Sequence, residues 1–311
     1  MNNWWEATFP KGCQFLQITD SNGSSASIAY GEKGSGQPII FVHGIGTWSY
    51  SWRHNIDFLA QHFRVICFDA KGYGFSEKST STERVEQQVV ELAQIIQLIC
   101  EEPIVVVSES LGALITLAAV QAYPELFAKV VLMNVPIFPK RLPNLGMQFL
   151  AHIPLSVVRV IDRLRLARLL APLVQQVVQL ARSEIIVENA QTSPEEAYWL
   201  TYPYTAFPGT ITKFAKDLKQ GIQEIHRLQN NQPNLITQIQ DGLSSIACPT
   251  LILWGDQDRW FPVEDGQELH KHIPESIFQI ISNCGHQAAG GRPDIVNPSI
   301  LTFLEMKHQE S

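Results

Sequence analysis

The chain has 311 residues and a net charge of −7, with charged side chains at 17% of positions and apolar ones at 45%. That composition excludes a disordered chain, and the acidic balance excludes nucleic-acid binding as the main function. The length suits one α/β domain carrying an insertion. The N-terminal stretch Met1-Asn2-Asn3-Trp4-Trp5 has neither a basic segment nor an apolar core, so no signal peptide is expected. No uninterrupted apolar run reaches the roughly 18 residues a membrane span needs. Cys13, Cys67, Cys100, Cys248 and Cys284 are odd in number, scattered and without Cys-x-x-Cys spacing. They read as reduced thiols in a cytoplasmic setting, with no structural zinc, and Cys284 reads as a packing residue.

Two short strands, Phe15–Ile18 and Ser27–Tyr30, flank the turn residues Asp20-Ser21-Asn22-Gly23 and predict a hairpin. Ile39–Val42 is the next strand, ending at His43-Gly44-Ile45-Gly46, and a helix is expected from Trp52 to His62. Arg64–Asp69 is a strand, and Val85, Val89, Leu92, Ile95, Ile96 and Ile99 form a helical stripe that Thr82 is placed to cap. Ile104-Val105-Val106-Val107 reads as a strand, followed by a helix to about Tyr123, where Pro124 stops it. Val130–Val135 follows as another strand. Short apolar strands alternating with helices predict a mostly parallel sheet covered on both faces. From Pro136 to Ser245 the alternation stops and helical stretches dominate. It resumes with a strand at Pro249–Trp254, a helix at Val263–His272, a strand at Ile277–Ile281 and a closing helix at Ile295–Met306. Residues 1–135 and 246–311 are therefore assigned to an α/β core, and 136–245 to a helical cap between the sixth and seventh strands.

Residues 136–245 carry a net charge of +3, the remainder −10. Between Leu155 and Arg182 lie Arg159, Arg163, Arg165, Arg168 and Arg182, with Asp162 the single acid. An amphipathic cap with solvated arginines accounts for this pattern; so does a cationic face that makes peripheral contact with an anionic membrane without inserting stably.

The chain is organised around Ser108-Glu109-Ser110-Leu111-Gly112, where a buried strand reverses directly into a buried helix. Such a reversal strains the middle residue, exposes its side chain at the sheet edge and tolerates only small neighbours two positions away. Ser110 sits at that tip, with Ser108 and Gly112 as the small neighbours. Ser108, where glycine is usual, is the rival nucleophile; Ser110 is preferred because Gly112 stands two residues beyond it. A serine nucleophile needs a general base, itself oriented by a carboxylate. Asp256 and Asp258 follow the seventh strand, and His286 follows the eighth.

With these motifs in this order the chain resembles the α/β-hydrolase superfamily, in the group with a helical cap after the sixth strand of an eight-stranded, mostly parallel sheet. His43-Gly44-Ile45-Gly46 is similar to that group's oxyanion loop. Asp69-Ala70-Lys71-Gly72-Tyr73-Gly74-Phe75-Ser76 resembles its Asp-x-x-Gly-x-Gly-x-Ser loop, Trp254-Gly255-x-x-Asp258-x-x-x-Pro262 its acid loop, and Gly285-His286 its base loop. The resemblance implies that Ser110 is the nucleophile, His286 the base and then acid, and Asp258 the carboxylate that fixes the imidazole, with Asp256 the rival by position. It implies that the backbone amides of Ile45 and Leu111 form the oxyanion hole, and that His43 holds its loop by hydrogen bonds. Glu109 departs from the residues common beside the nucleophile, and its role is left open.

Capped relatives acting on haloalkanes or epoxides use an Asp nucleophile, so Ser110 points to transfer of an acyl group to water without metal or cofactor. The expected substrate is a small hydrophobic carboxylic ester. A carbon–carbon bond hydrolase, a haloperoxidase-like enzyme and a non-catalytic ligand receptor are the alternatives. Tyr198, Trp199, Tyr202, Tyr204 and Phe207, with Trp48 and Trp260, either line an apolar pocket or seat the cap on the core.

Overall fold

The computed structural model describes residues 3–20, 22–78, 84–186 and 193–306. Its strands are β1 (Gln14–Thr19), β2 (Ser25–Lys33), β3 (Pro38–Val42), β4 (Arg64–Phe68), β5 (Ile104–Glu109), β6 (Phe127–Met133), β7 (Thr250–Gly255) and β8 (Ser276–Ile281). They form one eight-stranded sheet in the order β1-β2-β4-β3-β5-β6-β7-β8. β1 with β2 and β2 with β4 are antiparallel. Every other pairing is parallel, and the sheet is flanked by helices on both faces. Parallel strands covered on both sides need near-continuous apolar runs, and all six residues of β5 are buried. Ile104 and Val106 pack with Leu92 and Ile96 of the Val85–Ile99 helix and with Leu117 of the Leu111–Ala122 helix. Val105 and Val107 face the other way, toward Trp52 and toward Ile300 and Phe303 of the Pro293–Glu305 helix. Each large apolar side chain buried this way contributes roughly 1.5–3 kcal/mol, and a one-residue slip would exchange the two faces. The register at the tip of β5, Ser108 opposite Val42 and Glu109 opposite Met133, is thus held from both sides.

One local expectation comes out differently. The helix expected from Trp52 to His62 is a 3-10 turn, Ser49–Trp52, followed by a short helix, Ile56–Leu59. Trp52 stacks on Phe41 with ring centroids 4.7 Å apart, and the buried Asn55 donates to Asn297 Oδ1 at 2.7 Å and to the Ala289 carbonyl at 3.2 Å. Tertiary bonds there hold a shape that local periodicity does not encode. Thr82 lies outside the described residues; the helix begins at Val85, and its N-cap Arg84 makes no side-chain capping bond. A helix not anticipated, Trp4–Thr8, is capped by Asn3 and packs Trp4 against Trp48, 5.2 Å apart edge to face.

Between β6 and β7 the described residues contain helices and no strand. These helices are Leu145–His152, Leu155–Arg163, Leu166–Leu169, Ala171–Ile185, Pro194–Ala206, Thr210–Gln229 and Leu235–Gly242. The last of them belongs to the core in packing: Leu235 and Ile239 lie in the same cluster as Val106 and Leu117. The aromatic group on Pro194–Ala206 seats the insertion on the sheet's loops. Trp48 Nε1 donates to the Trp199 carbonyl at 3.0 Å, Tyr202 stacks on Phe75 at 5.7 Å, and Tyr204 donates to the Gly46 carbonyl at 2.6 Å. Among the described residues, no single helix is long and apolar enough to cross a membrane.

Candidate active site

Ser110 sits between the end of β5 and the Leu111–Ala122 helix at φ 56°, ψ −127°, a region a serine adopts only under constraint. The constraint is the close passage of β3. A Cβ at Gly112 would lie 2.5 Å from the Val42 carbonyl oxygen and 2.6 Å from that of His43, so a larger residue would push the turn apart. The rival Ser108 is fully buried and donates to the Val131 carbonyl at 3.2 Å, which occupies its hydroxyl inside the sheet.

His286 Nε2 lies 2.9 Å from Ser110 Oγ, and its Nδ1 lies 2.8 Å from Asp258 Oδ2. Three side chains far apart in the chain meet because β5, β7 and β8 end at the same sheet edge. Asp258 Oδ1 also accepts from the backbone amides of Trp260 and Phe261, at 2.8 and 3.1 Å, and Oδ2 accepts from Asn134 Nδ2 at 2.7 Å. Burial pulls the Asp258 carboxyl upward, but His286 and these donors more than offset it and hold it below the usual carboxylate value. Asp256 takes a different part: its Oδ1 accepts from the Cys284 amide at 3.0 Å and ties the acid loop to the base loop. Asn134 was not anticipated. It follows β6 at φ 47°, and its left-handed backbone aims the amide at Asp258. The signal available in the sequence was an Asn closing an apolar strand, a position where Asn tolerates that conformation.

His43 is buried, with Nε2 3.0 Å from the Ala70 amide and Nδ1 2.9 Å from the Gly44 carbonyl. The amide donates to Nε2, so Nδ1 carries the proton, and burial holds the ring's pKa below the ordinary histidine value. It pins the loop that carries Ile45. Gly44 faces the elbow, where an added Cβ would come within 3.0 Å of Ser110 Cβ, and Ile45 and Leu111 line the same pocket as Ser110. The Asp69 loop is organised by its own carboxylate, which accepts from the amides of Ser49 and Phe75 at 2.8 and 2.7 Å.

Glu109, whose role the sequence left open, is buried with Oε1 accepting from the Ala289 amide at 3.0 Å. It joins the elbow to the loop just after His286. Burial pushes its carboxyl up to about 7. Cys284 is buried as a packing residue, and burial pushes its thiol up to about 12.

A pocket partly open to solvent begins at Ser110. Leu114, Leu142, Met147, Leu218, Ile225 and Ile236 are on its wall, together with Trp260 and Phe261. The core supplies the reactive end and the insertion most of the apolar lining. Of the aromatic residues expected there, Trp260 lines the pocket; Trp48, Trp199 and Tyr202 form the seat described above. Among the described residues, no three His, Cys, Asp or Glu side chains are grouped as a metal site requires.

Residues 37–290 match the family model described as alpha/beta hydrolase fold. The chain belongs to that family. It is 25% identical over 272 residues to an uncharacterized hydrolase of Bacillus subtilis, YugF, a match covering 86% of this chain and 90% of that protein. It is also 25% identical to the 2-hydroxy-6-oxo-6-phenylhexa-2,4-dienoate hydrolase of Comamonas testosteroni, over 97% of this chain and 99% of that one. Among solved structures, a thermophilic esterase from Thermogutta terrifontis superposes with a TM-score of 0.69 at 22% identity, covering 94% of this chain and 98% of that one. At that identity the likeness is one of fold.

Proposed function

We propose that this hydrolase is a serine esterase acting on neutral, apolar carboxylic esters through an acyl-enzyme. The observation that carries the reading is the unbroken relay Ser110–His286–Asp258 opening onto an apolar cavity. His286 Nε2 takes the Ser110 proton as Oγ attacks the ester carbonyl. The amides of Ile45 and Leu111 receive the developing oxyanion, an interaction contributing roughly 3–4 kcal/mol in enzymes of this kind. The imidazolium then donates its proton to the departing alcohol. Water, deprotonated by the same nitrogen, hydrolyses the acyl-serine, and Asp258 keeps the Nδ1 proton in place throughout. The insertion serves as the cap that holds the acyl chain.

The Comamonas relative is named for a dienoate, a carboxylate with no ester bond to cleave, so carbon–carbon hydrolysis is the second reading. The charge on this pocket's wall argues against an anionic acyl part. Asp217 is already bonded to Lys213 and Tyr73, and Glu224 to Arg227 and the Leu235 amide. The cation on the wall, Arg141, is exposed at the rim. A buried carboxylate without a buried partner is disfavoured by several kcal/mol.

A panel of p-nitrophenyl esters of increasing chain length tests the proposal. Hydrolysis is expected to fall by about 10⁴-fold or more in Ser110→Ala, together with loss of labelling by a fluorophosphonate. Unchanged hydrolysis in that variant, or faster turnover of a dienoate than of any ester, would overturn it.

A further inference from the structure

Residues 145–173 expose an unusual amount of apolar surface. Leu145 is 79% exposed, Phe149 72%, Leu164 60% and Leu169 74%, and Val160, Leu170 and Leu173 are each more than half exposed. More than half of the exposed large apolar side chains described for the whole chain fall in this short stretch, so scatter does not account for it. Within the Leu155–Arg163 helix and its C-cap, Val157, Val160 and Leu164 recur at helical spacing on the outer side. Val158 and Asp162 face inward.

Cations flank this apolar surface. Arg159 and Arg163 form a neighbouring stripe one turn apart, Arg165 and Arg168 follow in the next helix and its cap, and all four are exposed. The one acid of the stretch does not pair with them. Asp162 is buried and its Oδ2 accepts from the Thr212 amide and hydroxyl at 2.8 and 2.7 Å. Among the described residues, none of the four arginines forms an ion pair.

We infer that this face of the insertion docks on an anionic lipid bilayer, lying in the interface with the arginines at headgroup level and the leucines and Phe149 below them. A surface of arginines interleaved with exposed Leu, Val and Phe is complementary to that partner on both counts, apolar area and charge. The rest of the chain, at −10, is repelled by the same membrane and orients the molecule with the insertion downward. The Leu145–His152 and Leu155–Arg163 helices meet at 97°, which spreads the contact along the surface instead of across it. The docked face adjoins the cavity. Met147 of the Leu145–His152 helix, with Leu142 and Pro143 before it, lines the pocket whose outer wall this helix forms. An apolar molecule leaving the bilayer there has the cavity beside it. The docking itself stands independently of the ester reading.

Sedimentation of the full chain with vesicles tests it: phosphatidylglycerol and phosphatidylcholine in equal parts, against phosphatidylcholine alone. The protein is expected to pellet with the anionic vesicles and to be released at about 0.5 M salt, where screening lengths fall to a few ångströms. Each of Arg159→Gln, Arg163→Gln and Arg168→Gln is expected to lower the partition about fivefold. The triple variant Leu145→Ser, Phe149→Ser and Leu169→Ser should lower it at least tenfold while its thermal melt stays that of the wild type, since the changed side chains stand in water. Protein remaining in the supernatant with anionic vesicles, or binding to both vesicle types that the arginine variants leave unchanged, would overturn the inference. So would a dimer in sedimentation velocity that the triple serine variant dissociates, since a second copy of the chain would then own the surface.

Discussion

Around the elbow, polar groups are enclosed and bonded: Ser108, Glu109, His43 and Asp258 are all buried, each with a protein partner. On the outer face of the insertion the arrangement is reversed, with Leu145, Phe149 and Leu169 in water and Asp162 turned inward. The first region holds a few atoms in one geometry, which burial and hydrogen bonds achieve together. The second shapes a boundary with whatever the protein meets. The chemistry proposed above draws on the sheet edge, and the selectivity proposed above on the helices between β6 and β7.

The largest expected effect that would sharpen this contrast comes from two neighbouring aspartates. Asp258→Asn should lower kcat by about 10⁴-fold, because the amide no longer holds the imidazole in the working tautomer. Asp256→Asn, which affects a loop tie, should cost less than about tenfold by the same reasoning. Equal losses in kcat for p-nitrophenyl ester hydrolysis would show that the acid was misassigned.

Glu109 gives a smaller effect with a defined sign. In the fold its carboxyl holds its proton up to about pH 7, against the usual 4.5. Its contribution to stability is therefore complete below pH 4.5 and is lost as pH rises through 7. Glu109→Gln stays neutral and keeps an acceptor for Ala289. It should gain on the wild type across that window, by at most about 3 kcal/mol. Unfolding midpoints in urea at pH 5 and pH 8 read this directly; an identical difference at both would remove the buried, titrating carboxyl from the account.

The smallest expected effect belongs to the insertion. Ile225→Trp narrows the cavity wall on the Thr210–Gln229 helix and should raise KM for long acyl esters about tenfold, leaving short esters within about twofold. An equal loss for both chain lengths would mean that the insertion acts on the chemistry as well as on selectivity.

Much of the core was legible because its physics is local. Four apolar residues followed by small ones specify β5 and the turn after it, and Gly112 is required by a passage too close for any Cβ. The spacing of Asp258 from Gly255 singled out the residue that meets His286. Asn134, the helix at Trp4–Thr8 and the broken turn at Ser49–Leu59 were not legible, since each is held by partners distant in sequence.

By itself the sequence determined the alternation of strands and helices, the place of the insertion and the order of Ser110, Asp258 and His286, because periodicity, turn chemistry and spacing are properties of neighbouring residues. Only the tertiary structure decided that the cap aromatics form a seat, that Glu109 ties the elbow to the base loop, and that Asp162 turns inward while leucines stand exposed. Those outcomes depend on which surfaces meet across the fold, and burial is a property of the whole packed chain.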